Sequence, residues 1–400
     1  RVRGPLPGPV GLDPRPPTPP AEGPRPLPGH ARRFARHRLA KVIGAGVAAA
    51  LAFGVAGATT AAIRITGNID AVDANRIMED HGIQRPEVPD PVDPNAGQPL
   101  NILVMGSDYR GEEEDDDDVE GQRADSTMIL HLSADRSRAY AVSIPRDTIV
   151  DVPSCPTTSD IVIAPRSGVR FNAAFALGYD IGGDVGSAAI CTMTTVEQFT
   201  NIRLDGYIVM DFIAFRNMID ALGTVTVYID RPINDRMTGL RLDPGYMRMG
   251  GTTALKYARA RYGIGDGSDL QRIERQQGLM MGIVNEVLGS NLLLDTPRLL
   301  RFLAATTDSM SMSSNFASIN GLAGLGFSLR NIRPTNIEFE MAPIAINPAN
   351  HNTVIFTADA ERVWTNLRHG WPLDTPDGGP VAAGLSGPAD PSDSTEEASQ

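Results

Sequence analysis

The sequence predicts an α/β protein, a layered domain with a central sheet preceded by one transmembrane helix. Three observations carry this expectation. Apolar runs of strand length alternate with segments of helical periodicity between Leu100 and Leu367. An uncharged run of 22 residues, 42–63, follows a basic cluster. The 400 residues are 42% hydrophobic and 21% charged, so a sizeable core can be buried.

Taken in order, residues 1–41 hold nine of the 36 basic residues and only two acids, and residues 1–30 hold eleven of the 31 prolines. They read as a disordered basic tail. The run 42–63 is long enough, at roughly 20 apolar residues per bilayer crossing, to span a membrane. It is longer than a secretory h-region and lies far from the N-terminus, so it reads as an uncleaved anchor rather than a signal peptide. The flank of Arg32, Arg33, Arg36, Arg38 and Lys41 puts the N-terminus in the cytoplasm and the rest of the chain outside. Residues 64–99 read as an extracytoplasmic juxtamembrane segment and linker, Pro- and Asp-rich over 84–99.

A single domain is expected over 100–370. Residues 100–105 form a compact apolar strand ending at Gly106, and 127–132 and 139–144 two more, adjacent because only six residues separate them. Helices are expected at 172–177 and 185–200, a strand at 207–210, and a helix at 212–222 that Gly223 stops before strand 225–229. Helices follow at 252–260 and 270–288, residues 297–328 read as largely helical, 337–341 as a strand and 358–367 as a closing helix. Residues 371–400, rich in Pro, Gly, Ser and acid, read as a disordered acidic tail.

The net charge of −12 argues against a nucleic-acid binder. Of the basic residues only Lys41 and Lys256 are lysines, a bias in keeping with a high-GC genome. Six scattered histidines give no zinc signature, and His131, inside a strand, reads as a packed residue. Two cysteines exclude a four-Cys zinc site and a disulfide-stapled miniprotein; outside the membrane, Cys155 and Cys191 can form one disulfide.

The chemistry gathers in four clusters. Asp108 and Arg110 lie just past the first strand, Arg123 and Asp125 just before the second, and Arg146 and Asp147 at the exit of the third. The fourth runs from Arg259 and Arg261, at a helix end, to Arg272, Arg275 and Gln276 on the next helix. Two carboxylates at neighbouring strand ends can share a hard cation such as Mg²⁺. Arginine offers a planar fork suited to phosphate oxygens, and several forks around such a cation meet the needs of a phosphoryl-transfer centre. Each cluster alone has a plainer reading, as turn caps or a solvated helix face. The acidic run 112–118 reads as a solvated loop.

Together the segments NILVMGSDYRG (101–111), RADSTMILHL (123–132), AVSIPRDT (141–148), RFNAAFALG (170–178), DGYIVMDFIAFRNMIDALGTVTV (205–227) and ALKYARARYGIGDGSDLQRIERQQ (254–277) resemble the LytR–CpsA–Psr family, in its actinobacterial form. The resemblance implies an α-β-α layered fold with a central mixed sheet. It implies an Mg²⁺- (or Mn²⁺-) dependent phosphotransferase that moves a glycan phosphate from a polyprenyl-pyrophosphate carrier to a peptidoglycan sugar hydroxyl, at the membrane. At matching positions, Asp108 and Asp125 would be the metal ligands. Arg123, Arg146, Arg259 and Arg261 would bind the pyrophosphate, with Arg272, Arg275 and Gln276 completing the pocket and Arg110 beside them. The catalytic set would be Asp108, Arg123, Asp125, Arg146 and Arg261, with Asp147 and Asp108 the candidates to take the acceptor's proton. Two other readings stay open, a pyrophosphatase with the same pocket and a non-enzymatic lipid- or glycan-binding regulator of the envelope.

Overall fold

The structure is a computed structural model that describes residues 70–87, 97–108, 122–261, 269–290, 292, 295–307, 310–317, 326, 329 and 332–376. These fall within one compact unit, Thr60–Gln400. The basic tail 1–41, the apolar run 42–63, Arg110, the acidic run 112–118 and residues 377–400 of the acidic tail lie outside the described residues. Among the described residues no helix is long and apolar enough to cross a membrane.

The strands are β1 (Asp70–Val72), β2 (Leu100–Ser107), β3 (Ala124–Leu132), β4 (Ala139–Ser143), β9 (Gly206–Met210), β14 (Met310–Ser313) and β15 (Ile337–Met341) in one seven-stranded sheet. Its order is β1-β14-β9-β2-β3-β4-β15. Pairs β1/β14, β9/β2 and β4/β15 are parallel and the others antiparallel, so the central sheet is mixed. Alternation along β2 explains its placement. Leu103 and Met105 face one core with Ile129, Val142, Tyr207 and Val209, while Ile102 and Val104 face another with Leu130, Ile208 and Met312.

Helices cover both faces. On the first lie α1 (Ala74–Asp80), α2 (Asn172–Gly182), α3 (Val185–Thr200) and α8 (Ala358–His369), contributing Met78, Phe175, Ile190 and Trp364. On the second lie α4 (Phe212–Leu222) and α7 (Thr296–Thr306), through Ala214 and Leu303. Beyond α4, the helices α5 (Gly251–Arg259) and α6 (Asp269–Gly289) share a further core with the ribbon β10 (Val225–Ile229)/β13 (Gly245–Met249) and the hairpin β11 (Ile233–Asp235)/β12 (Leu240–Leu242). Aspartates start α1, α3, α4 and α7. Asp73, Asp184, Asp211 and Asp295 each accept a backbone N–H in the first turn. Gly178 is required by close approach, since a Cβ there would sit 2.5 Å from the Ala188 Cα of the neighbouring helix.

The strands β5 (Ile149–Val152), β6 (Cys155–Pro156), β7 (Val162–Ile163) and β8 (Arg166–Arg170) form two small ribbons between β4 and α2. A disulfide, Cys155–Cys191, ties β6 to α3, as the two-cysteine count allowed. A last ribbon joins β16 (Ile344–Ile346) and β17 (Val354–Phe356).

Two expectations are corrected. Residues 297–328 are not helical throughout, because α7 ends at Thr306 and Met310–Ser313 is a sheet strand pairing with β9 and β1. The alternation Met-Ser-Met-Ser has strand period but is too short to stand out beside a helix. Residues 64–99 are also more than a juxtamembrane segment and linker. Asp70–Val72 is an edge strand of the sheet and α1 buries Ala74 and Met78, so the folded domain begins well before residue 100.

Candidate active site

Antiparallel pairing of β2 with β3 places the end of one beside the start of the other, with Gly106 opposite Ser126 and Ser107 opposite Ala124. Asp108 therefore meets the first residues of β3. Its N–H donates to the Arg123 carbonyl at 3.1 Å, and its Oδ1 accepts the Arg123 N–H at 2.8 Å. Burial pushes the Asp108 carboxyl above its usual range and the nearby Asp125 charge adds to this, against the lowering effect of the Arg123 N–H.

The third strand closes the cluster. As β4 ends, Ile144 donates to the Thr127 carbonyl at 2.9 Å, which brings Arg146 over the start of β3. The Arg146 Nη1 then donates to Asp125 Oδ1. Asp147 stands behind, 3.6 Å from Arg146 Nε and 3.4 Å from Arg170 Nε, so an alternating chain Asp125–Arg146–Asp147–Arg170 runs outward. These groups are partly exposed, which leaves them accessible and limits what each pair adds to stability.

The arginines of α5 and α6 approach from the other side. Arg259, in the last turn of α5, lies over the Phe212 ring with its Cζ 4.4 Å from the centroid. The chain then leaves the helix at Ala260, and Arg261 follows. On α6, the 2%-exposed Arg272 donates to the Asp125 carbonyl at 3.1 Å, pinning the helix to β3. Arg275 and Gln276 instead reach back to α5, donating to the carbonyls of Ala260 at 2.5 Å and Ala258 at 3.3 Å.

A cavity of about 370 Å³ unites these elements. Its body is apolar, built by Val104, Met128, Met210, Phe215, Met218, Leu255, Leu279, Met280 and Ile283. Ser107, Asp125, Arg259, Arg261, Arg272 and Gln276 add the polar wall. Of the residues singled out in the sequence, Asp125, Arg259, Arg261, Arg272 and Gln276 line this cavity. Arg146 bonds to the lining residue Asp125, Asp108 and Arg123 hold each other at the neighbouring strand ends, and Arg275 holds the Ala260 carbonyl.

Four contributors escaped the sequence reading. Asp211 lines the cavity and caps α4, its Oδ1 accepting the Ala214 N–H at 2.7 Å, and burial pushes its carboxyl upward. Its only sequence signal was its place before a helix. Phe212, next to it, supplies the ring under Arg259, and Arg170 extends the ion-pair chain. Asp235 is buried against the Arg261 backbone. Neither of the last two pairings has a local pattern.

The mixed sheet with helices on both faces, and a cavity between sheet and helices whose lining includes Asp125, Asp211, Arg259, Arg261 and Arg272, define an α/β domain with an amphiphilic cavity. The chain belongs to the LytR_cpsA_psr family, whose model matches residues 65–369. It is 26% identical over 283 residues to the cell wall biosynthesis protein LcpA of Corynebacterium glutamicum, covering 66% of this chain and 54% of that one. It is 27% identical over 229 residues to the polyisoprenyl-teichoic acid–peptidoglycan teichoic acid transferase TagU of Enterococcus faecalis, covering 57% and 66%. The chain thus spans between half and two thirds of these relatives' lengths. Among solved structures, the LytR-Csp2A-Psr enzyme from Actinomyces oris shares the fold, with a TM-score of 0.51, 19% identity, and 76% of this chain and 97% of that one covered.

Proposed function

We propose that this chain is a membrane-anchored phosphotransferase that takes a glycan phosphate from a polyprenyl-pyrophosphate carrier and joins it to a peptidoglycan sugar hydroxyl. The observation that carries the reading is the amphiphilic cavity, an apolar body with Asp125, Arg259, Arg261 and Arg272 among its lining. A prenyl chain matches the body and a pyrophosphate matches the arginines. The names of the Corynebacterium and Enterococcus relatives, a cell wall biosynthesis protein and a teichoic acid transferase, point the same way. In this reading residues 42–63 anchor the chain, the N-terminus is cytoplasmic and the catalytic domain faces outward.

The acceptor hydroxyl oxygen forms a bond to the phosphorus that bears the glycan, the pyrophosphate P–O bond breaks, and polyprenyl phosphate leaves. Arg259, Arg261 and Arg272 hold the phosphate oxygens as negative charge spreads over them. Arg146, held by Asp125 and Asp147, serves the same charge from the β4 side. Asp147 lies between two guanidinium groups, which suits a carboxylate that orients them. A loose transition state asks little activation of the hydroxyl, whose proton passes to solvent.

Asp108 and Asp125 fit Mg²⁺ or Mn²⁺, being hard carboxylate donors at adjacent strand ends, where burial first and the Asp125 charge next raise the Asp108 carboxyl. When bound, the cation supplies Lewis-acid neutralisation of the pyrophosphate. The test is to incubate the full chain with Mg²⁺, a polyprenyl-pyrophosphate-linked glycan and a peptidoglycan oligomer, and follow products by mass. Glycan phosphate joined to peptidoglycan is expected, with most activity lost in Arg261→Ala. Free glycan phosphate at an equal rate without acceptor would replace this reading with the pyrophosphatase.

A further inference from the structure

Asp235 is the last residue of β11 and is 1% exposed. A buried carboxylate is costly unless its oxygens accept hydrogen bonds, and this one accepts three from backbone N–H groups. Oδ1 takes those of Met237 at 2.8 Å and Thr238 at 3.1 Å, closing the turn of its own hairpin. Oδ2 takes that of Arg261 at 2.6 Å, 26 residues further along the chain. Just there the backbone has left α5, since Ala260 is extended at φ −60° and ψ 134°. A residue past a helix C-terminus has lost the regular ladder, so its direction is set by whatever binds its backbone.

The same short exit is held from α6. Arg275 donates to the Ala260 carbonyl and Gln276 to the Ala258 carbonyl. Carbonyls are thus gripped by one element and the following N–H by another, and Arg259 and Arg261 both lie in the cavity wall between. An exit free to rotate would carry the Arg261 side chain with it. A guanidinium displaced by about 1 Å loses much of its effect on a developing charge.

We propose that Asp235 is the positioning residue of Arg261. It fixes the backbone from which that guanidinium reaches the pyrophosphate, and this rests on the pyrophosphate-binding reading above. The chemistry of its two oxygens separates this role from mere support of the hairpin. In Asp235→Asn the amide oxygen can keep both turn bonds at the Oδ1 place, while the amide NH₂ cannot accept the Arg261 N–H.

The experiment has two readouts on the full chain in detergent micelles. In the first, amide hydrogen exchange is compared between wild type and Asp235→Asn. Exchange at Arg261 should accelerate at least about tenfold while Met237 and Thr238 keep their protection. Unchanged exchange at Arg261 overturns the proposal whatever the ligand does. In the second, binding of farnesyl pyrophosphate with Mg²⁺ is measured calorimetrically for wild type, D235N, R261A and the double variant. D235N should weaken binding at least about tenfold, and the double variant should fall within about twofold of R261A, as expected of a residue that acts through Arg261. Losses that multiply, or D235N binding like wild type, overturn it. A wild type that ignores the probe overturns the pyrophosphate reading and the proposal with it, and the exchange result still records whether the clamp exists.

Discussion

Glu197→Ala should unfold this domain more readily than any other single truncation of a charged side chain outside the site. Glu197 on α3 and Arg85, just past α1, have side chains only 3% and 4% exposed. Arg85 donates through Nε to Glu197 Oε2 at 2.8 Å and through Nη2 to Oε1 at 2.5 Å, and also reaches the Leu204 carbonyl at 2.6 Å and Asn75 Oδ1 at 2.5 Å. Removing the carboxylate strands a buried guanidinium and also deprives the Leu204 N–H of its 2.8 Å acceptor. Breaking one side of such a pair costs about 3–5 kcal/mol. At about 2–4 °C per kcal/mol for a domain near this size, the melting temperature should drop by about 6–20 °C. Thermal melts followed by circular dichroism, with urea titrations at 25 °C, measure both. Arg85→Met with Glu197→Leu should recover much of the loss, since apolar replacement of the whole pair removes the stranded charge. The reasoning also reaches the domain boundary. A fragment starting at residue 100 lacks Arg85 together with β1 and α1 and should be at least as unstable as Glu197→Ala, whereas one starting at residue 65 should not. A melting shift under about 2 °C for Glu197→Ala, or a stable fragment from residue 100, would refute it.

Three further outcomes are expected. On the proposed metal-binding reading, Asp125→Asn should shift the Mg²⁺ dependence of turnover to higher concentration, because it removes a donor charge and the charge opposite Arg146 together; an unchanged metal titration would exclude Asp125 as a ligand. His131 is held neutral by burial and by the Arg136 charge, its pKa lowered to about 4. Below about pH 6.5 the unfolded chain takes up a proton that the folded chain resists until about pH 4. Stability should therefore fall by up to about 3 kcal/mol over that window and stay flat above it, and urea melts at pH 7 and pH 4.5 should show a smaller acid loss in His131→Asn. The Cys155–Cys191 bridge closes a loop with a sequence separation of 36, so Cys155→Ser with Cys191→Ser should cost about 4 kcal/mol by the chain-entropy argument, read from urea midpoints.

The strands of the sheet centre were legible because their apolar runs are bounded by turns. The ribbon strand 225–229, the edge strand 337–341 and the helix 212–222 also coincide with the observed elements. The strand Asp70–Val72 was not legible, since three residues carry no periodicity and it exists only because Met310–Ser313 pairs with it across 241 positions of chain. In the site, Asp108 and Asp125 were legible as carboxylates at neighbouring strand ends, and the antiparallel pairing of β2 with β3 brings them together with Arg123. Arg275 and Gln276 were legible as members of the right helix face, but their side chains spend their hydrogen bonds on α5 carbonyls. Asp235 was invisible because the long-range contact that matters is with a backbone N–H, which every residue but proline carries.

The placement of the cavity follows from the sheet order. β2 and β9 run parallel side by side, and Asp108 and Asp211 lie just beyond their carboxyl ends, where crevices in α/β sheets open. The pleat then divides the work. Val104 and Met210 point to the second face, where α4 and α6 stand off far enough to leave the apolar body of the cavity. Past the strand ends the side chains turn polar, because backbone groups there need partners and water reaches them. One sheet edge thus supplies grease and charge within a single cavity, and the arginines of α5 and α6 complete the charged part from across it. A soluble sugar phosphate would leave the apolar body empty, and a plain lipid would offer the arginine forks no phosphate oxygens. An amphiphile with an anionic head meets both halves of the cavity, and the carrier-linked pyrophosphate of the proposed reaction is of that class.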